Sequence, residues 1–277
     1  MGHEMRLNDN ELAHFGIAKS FTNNDNKINS LDFFSDGKHL VTAGDDDAIT
    51  IYDSENGKRK QTLYSKKYGV QRITYTHNTS CVLYASTKVD DALRYQSLHD
   101  NKYIRYFQGH TDKVTSLCMS PTDDTFFSSS KDKTVRLWDL RTPHTQGLLR
   151  MNAGSGRANK PLSAPLVAID PEAVIFAVAY NDYHEKKGMI KLYDKNSFDG
   201  GPFTTFKIAM EDHYDWKDIK FSPDGKHILC STNGYCIYLI DAYEGHVSKI
   251  YRQIVNARND DLQAGFTEYK LKFMKLF

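Results

Sequence analysis

The chain has 277 residues, and 36 Lys and Arg stand against 35 Asp and Glu for a formal net charge of +1. That balance excludes a strongly basic nucleic-acid binder, so direct DNA binding is not expected. The 17 Tyr and 15 Phe supply core material that a disordered acidic chain lacks.

The first stretch, MGHEMRLNDN, is polar and lacks an apolar leader segment, so residues 1–14 read as a tail. Arg6 stands where a myristoylation signal wants Ser or Thr. The longest clear apolar run, 174–180, is too short to span a bilayer, and no membrane contact is expected. Cys81, Cys118, Cys230 and Cys236 include no C-x-x-C pair, so they read as small buried hydrophobes of an intracellular chain rather than zinc ligands.

From residue 27 onward the chain repeats itself. KINSLDFFSDGKHLVTAGDDDAITIYD at 27–53 aligns without a gap to KVTSLCMSPTDDTFFSSSKDKTVRLWD at 113–139. Each reads as strand, turn, strand, Asp-containing turn, and a strand ending in aromatic-Asp. A third clear copy spans 216–241, and degenerate ones span 70–97 and 166–194. The anchors Asp53, Ser97, Asp139, Asp194 and Asp241 lie 44, 42, 55 and 47 residues apart, the long interval carrying insertions around 153–165 and 183–187. A period of about 40–45 with four short strands per unit is the WD-repeat signature, and it predicts an all-β propeller of radially packed blades. One blade has two apolar faces and buries them only against its neighbours. The predicted repeat domain covers 15–277, with repeats at about 27–64, 69–108, 113–152, 166–208 and 216–252 and a partial one at 264–277.

The best-formed copy carries a hydrogen-bonding set: Gly109-His110, a serine at Ser128 or Ser130, Asp132 and Trp138. Asp132 in the tight turn is expected to accept from backbone N–H and from His110. The imidazole then reaches the serine hydroxyl, and Trp138 adds an indole donor. A His–Ser–Asp trio resembles a hydrolase triad, but these residues fall on repeat positions and read as structural. In the first copy Asp46 fills the turn and Tyr52 replaces Trp. Lys187 and Gly234 replace the aspartate in the fourth and fifth.

Catalytic chemistry is not written elsewhere. AGSGRANK at 153–160 lacks the Gly-Lys-Ser/Thr ending of a phosphate loop, and His184-Glu185 meets Gly188 where HExxH needs its second His. Asp45, Asp46 and Asp47 read as a self-capped turn, and the 11 histidines show no ligand spacing, so no cofactor or metal is expected. Basic clusters remain. Lys58, Arg59 and Lys60 are placed in a hairpin turn. Lys66, Lys67, Tyr68 and Arg72 are placed in the connection between the first and second repeats, a cation-plus-aromatic set that suits a phosphorylated or acidic peptide; an ordinary solvated loop is the alternative.

Other stretches exceed what a repeat demands. TLYSKKYGV at 62–70, SLHDNKYIRYF at 97–107, MSPTDDTF at 119–126, GPFTTFK at 201–207 and LIDAYEG at 239–245 resemble the WD-repeat protein eighty-two family, the counterpart of the yeast Swd-two subunit. The resemblance runs from about Phe15 to Phe273. It implies a nuclear, non-catalytic scaffold of a COMPASS-type complex that methylates histone H3 on lysine 4. The implied partners are the methyltransferase catalytic subunit, a protein phosphatase 1 nuclear targeting subunit and the phosphorylated C-terminal repeats of RNA polymerase II. In fungi it also implies mRNA 3′-end processing. A generic WD adaptor, such as a ubiquitin ligase receptor, is the alternative.

That family is seven-bladed, and seven blades need roughly 290 residues. Five copies end near Gly245 and 32 residues follow. The expectation is therefore five blades and part of a sixth in an unclosed ring, with 15–21 as the strand of a missing seventh blade. A truncated product, a reduced ring or a gap covered by a partner would each account for it.

Overall fold

The computed structural model describes residues 16–17, 19–22, 26–151, 162–210, 214–234 and 236–252, together with the backbone of 263–266 and 271–274. The expected tail, most of the 153–165 insertion and the start of the expected closing strand lie outside the described residues.

Twenty strands form five antiparallel four-stranded sheets, each in chain order. The first comprises β1 (Ile28–Phe33), β2 (His39–Gly44), β3 (Ala48–Asp53) and β4 (Lys58–Tyr64). The second comprises β5 (Gln71–Tyr75), β6 (Cys81–Ala85), β7 (Leu93–Ser97) and β8 (Tyr103–Phe107). The third comprises β9 (Val114–Met119), β10 (Thr125–Ser130), β11 (Thr134–Asp139) and β12 (Gly147–Arg150). The fourth comprises β13 (Leu166–Ile169), β14 (Ile175–Asp182), β15 (Lys187–Asp194) and β16 (Thr204–Ala209). The fifth comprises β17 (Trp216–Phe221), β18 (His227–Thr232), β19 (Ile237–Asp241) and β20 (Val247–Tyr251). A hairpin, β21 (Gln263–Phe266) with β22 (Leu271–Met274), follows, its β21 beside β17 and β18.

These segments form strands because β-branched and aromatic residues alternate between two half-buried faces. Each core then lies between two sheets rather than within one. Val41, Ala43, Ile49 and Ile51 meet Ile73, Tyr75, Val82 and Tyr84 across the first seam, and Leu83, Leu93 and Phe107 meet Phe126, Trp138 and Leu140 across the second. Phe127 and Val135 pack on Phe176, Val178 and Tyr193 at the third, while Ile190, Leu192 and Phe206 pack on Trp216, Ile219 and Tyr238 at the fourth. Polar groups cross the seams too. Asp32 Oδ2 accepts from Thr74 Oγ1 and the Tyr75 N–H, each at 2.8 Å; Ser116 Oγ donates to the Val167 carbonyl at 3.0 Å; and Asn181 Nδ2 donates to the Tyr214 carbonyl at 3.0 Å.

The innermost strands β1, β5, β9, β13 and β17 surround an axial cavity of about 580 Å³. Asp32 on β1 and Lys220 on β17 both line it, so the first and fifth sheets face the same space; burial raises the Asp32 carboxyl above its ordinary value against the pull of its N–H and hydroxyl donors and of Lys220. Among the described residues no sheet pairs a strand of the first blade with one of the fifth.

Two local placements differ from expectation. The extra length around 183–187 extends the β14–β15 hairpin to eight residues per strand, with Asp182 opposite Lys187. Lys58, Arg59 and Lys60 open β4 instead of forming a turn, because β4 must be long enough to pair Lys58 with Asp53 at one end and Tyr64 with Ala48 at the other.

Candidate functional site

Two polar constellations stand out, one sealed in the third sheet and one on the surface between the first and second. In the third, β10 and β11 pair Phe126 with Trp138 and Ser128 with Arg136. That register brings the indole over the serine. Trp138 Nε1 donates to Ser128 Oγ at 2.8 Å, Ser128 Oγ lies 2.8 Å from His110 Nε2, and His110 Nδ1 lies 2.9 Å from Asp132 Oδ2. Asp132 also accepts from the N–H groups of Thr111 and Thr134 and from the Thr134 hydroxyl. Ser130 serves elsewhere: its hydroxyl donates to the Asp112 carbonyl at 2.7 Å and accepts from the Asp132 N–H.

Burial lowers the His110 pKa below its ordinary value even though Asp132 opposes the shift, so the imidazole is neutral at pH 7. The neutral ring donates from Nδ1 to Asp132 and accepts the Ser128 proton at Nε2. Burial works against the Asp132 carboxylate, but Thr134, His110 and the Thr111 N–H together hold it low. The bond pattern is that of a hydrolytic triad, yet Ser128 and Trp138 are fully buried among Phe107, Phe126 and Val114. No substrate atom reaches the hydroxyl, so the arrangement ties strands together instead of cleaving bonds.

The three turn aspartates of the first sheet are similarly occupied. Asp45 accepts from Asn29 Nδ2 at 2.9 Å, Asp46 caps the Ala48 N–H, and Asp47 pairs with Lys88 at 2.5 Å. Among the described residues no group of three His, Cys, Asp or Glu is placed to hold a metal ion.

The surface constellation is built on the β4–β5 connection. Tyr68 and Gly69 donate back to the Ser65 carbonyl, closing one tight turn, and the Tyr68 carbonyl accepts from the N–H groups of Thr87 and Lys88. Gly69 sits at φ 71° in the left-handed region, and a Cβ there would lie 1.8 Å from Thr87 Oγ1. The turn is thereby held against the second sheet. Lys66 Nζ lies 5.1 Å from the Tyr64 ring centroid and Lys67 Nζ 4.9 Å from that of Tyr68.

Beneath them lies Arg94, which the sequence pattern did not single out. Its guanidinium carbon is 3.3 Å from the Tyr68 ring centroid and 4.9 Å from that of Tyr106, and its Nη2 bonds both oxygens of Asp90 at 2.9 and 2.8 Å. Asp90 and Arg94 occupy the repeat positions of Asp132 and Arg136. The second sheet thus replaces the imidazole network with a buried guanidinium clamped between a carboxylate and aromatic rings. The Tyr84 hydroxyl, at the Ser128 position, bridges Ser65 Oγ at 3.0 Å and Gln96 Oε1 at 2.6 Å.

Lys66, Lys67 and Tyr68 are therefore brought together with Tyr64, Tyr106 and Arg94. Arg72 is not. It falls in a bulge between Gln71 and Thr74 at φ 54° and lines the axial cavity. The bulge redirects its side chain away from the connection that its sequence position suggested.

Five meander sheets around an axial cavity, with one complete His–Ser–Trp–Asp network, define a WD-repeat β-propeller. The family model for the WD domain, G-beta repeat, matches residues 101–139, and that for the anaphase-promoting complex subunit 4 WD40 domain matches residues 5–78. WD repeat-containing protein 82 of Drosophila melanogaster is 48% identical over 264 residues, 95% of this chain and 78% of the relative. The Set1 complex component swd2 of Schizosaccharomyces pombe is 39% identical over 79% of this chain and 58% of its own length. The COMPASS component SWD2 of Saccharomyces cerevisiae is 32% identical over 86% of this chain and 69% of its own. The chain belongs to the family of WD repeat-containing protein 82 and Swd2.

Proposed function

We propose that this chain is a non-catalytic WD40 scaffold subunit of a nuclear, COMPASS-type histone H3 lysine-4 methyltransferase complex and/or a protein phosphatase 1 complex, which it links to phosphorylated C-terminal repeats of RNA polymerase II. The observation that carries the reading is the Lys66–Lys67–Tyr68 surface over the Arg94–Asp90 clamp, on a chain 48% identical to WD repeat-containing protein 82 and similar to components of the Set1 and COMPASS complexes. Two ammonium groups held over tyrosine faces offer a phosphate its charge and a neighbouring aromatic or proline ring its stacking partner. Arg94 is neutralised by Asp90, so it supports Tyr68 and leaves anion contact to the lysines.

Two experiments test this. Affinity purification from nuclear extract, read by mass spectrometry, is expected to recover methyltransferase and phosphatase scaffold subunits; recovery of chaperones alone overturns the scaffold role. Titration with a phosphorylated C-terminal repeat peptide is expected to show binding that the Lys66→Glu/Lys67→Glu variant loses by roughly tenfold or more. Unchanged binding by that variant removes the surface from the reading.

A further inference from the structure

We infer that the cleft between the fourth and fifth sheets is a docking site for a partner's peptide segment carrying an arginine or lysine. It lies at the opposite ends of the strands from Lys66 and Lys67 and is independent of that surface.

The residue directly after each third-strand anchor closes the seam to the preceding sheet. In the second and third sheets it is Leu98 and Leu140, both buried in the seam cores. In the fourth it is Lys195, whose stem is buried and whose ammonium crosses the seam to Asp123 Oδ2 at 2.6 Å and Ser120 Oγ at 3.4 Å. In the fifth it is Ala242, the shortest of the four. The opposing turns do not compensate. Where His77 donates across the second seam to the Asp123 carbonyl, the fourth seam sets Pro171 opposite Gly225. A cleft of about 410 Å³ is left open.

Its walls are Pro171, Ile175, Leu192, Pro223 and Ala242, and its lips are Phe203 and Tyr243, 58% and 74% exposed. Glu172 and Asp224 stand at the rim. The Glu172 carboxylate makes no ion pair among the described residues. The Ser222 hydroxyl and the Lys226 N–H hold Asp224 below the usual carboxylate range, so it is charged at neutral pH. Asp170 is already taken up by the N–H groups of Glu172 and Ile175. Lys226 is the nearby cation of the β17–β18 turn, and it does not line the cleft.

This is a cleft with apolar walls, aromatic lips, the Glu172 carboxylate and the Oδ2 of Asp224, whose Oδ1 alone accepts from the Ser222 hydroxyl and the Lys226 N–H. A long aliphatic stem ending in a cation fits it as Lys195 fits the third seam: the stem covers Ala242, and the head meets Glu172, Asp224 and the ring faces. An acidic or purely apolar segment would leave the carboxylates opposed or desolvated.

The test is selection of a phage-displayed random dodecapeptide library on the intact chain, counter-screened on Ala242→Lys and Glu172→Lys. The first variant fills the slot from within. The second changes an exposed rim residue, which keeps the comparison valid should the first disturb packing; circular dichroism and the melting temperature confirm that each is folded. Peptides lost on both variants are expected to carry Arg or Lys beside an apolar residue, and a synthetic consensus peptide is expected to bind Glu172→Lys roughly tenfold more weakly. No peptide lost on the variants, or lost peptides without a cation, overturns the inference.

Discussion

The Trp138 indole N–H and His110 Nε2 converge on one atom, Ser128 Oγ, each at 2.8 Å. The hydroxyl accepts from the indole and donates to the imidazole, so β10, β11 and the segment before β9 share a single buried chain of bonds ending on Asp132. Such a network is costly to leave incomplete. Asp132→Ala removes the acceptor of the His110 ring and of the Thr111 and Thr134 N–H groups. The expected loss is about 3 kcal/mol in urea unfolding. Ser128→Ala, which strands the indole donor and the imidazole acceptor, is expected to cost about 2 kcal/mol. Equal and negligible losses would mean the network does not hold the blade.

The same network fixes a pH dependence. Burial depresses the folded-state pKa of His110 below 6.5, with Asp132 opposing. The unfolded chain therefore takes up a proton near pH 6.5 that the native ring refuses. The stability contributed by the neutral ring is present above that value and is lost as pH falls from it toward the folded pKa. Unfolding midpoints at pH 7.5 and 5.5 are expected to differ in favour of pH 7.5, with the difference reduced in His110→Gln. A flat profile in the parent chain would contradict the assignment of a neutral imidazole.

Lys195 and Asp123 form the polar closure of the third seam at 2.6 Å, with the lysine side chain 8% and the aspartate 47% exposed. Burial opposes the charge on Asp123, but the Lys195 ammonium and the Thr125 hydroxyl and N–H outweigh it and hold the carboxyl well below its ordinary value. A depressed carboxyl stabilises above the unfolded value and loses that contribution as pH falls through the folded one. Solvent at Asp123 screens the pair, so a double-mutant cycle with Lys195→Met and Asp123→Asn is expected to give a coupling of about 1 kcal/mol at pH 7 that vanishes in strong acid.

Repeat units are legible in this sequence wherever the pattern is periodic. Asp53, Asp139 and Asp241 end strands where the alignment puts them because alternation and turn residues fix each register. Features that depend on contact between strands are not legible. Arg94 reads as one polar residue in Leu-Arg-Tyr, and only the β7–β8 pairing, which sets it opposite Tyr106, together with the β4–β5 turn that brings Tyr68 over it, gives it its aromatic surroundings. Arg72 reads as part of a basic run because nothing local announces the bulge that turns it to the axis. The Leu98, Leu140, Lys195, Ala242 series is plain in the sequence, but its meaning appears only when the sheets stand side by side.

Gly69 offers the sharpest link between local backbone and the surface above it. At φ 71° an L-residue is strained by roughly 1 kcal/mol, and a Cβ would overlap Thr87 Oγ1, so the Thr87 hydroxyl must rotate away or the turn must move off the Thr87 segment. That segment donates two N–H groups to the Tyr68 carbonyl, and Tyr68 stacks on Arg94 at 3.3 Å. Gly69→Ala is therefore expected to cost about 2 kcal/mol and also to disturb the cation–aromatic stack. Gly69→Ala/Thr87→Gly removes the overlap while leaving the φ strain, and it is expected to recover the packing part of the loss but not the backbone part. Thermal unfolding of both variants, with phosphopeptide titration beside it, separates the two contributions. Recovery of stability without recovery of binding would show that the Tyr68 carbonyl contacts, and not the overlap alone, set the geometry of Lys66 and Lys67.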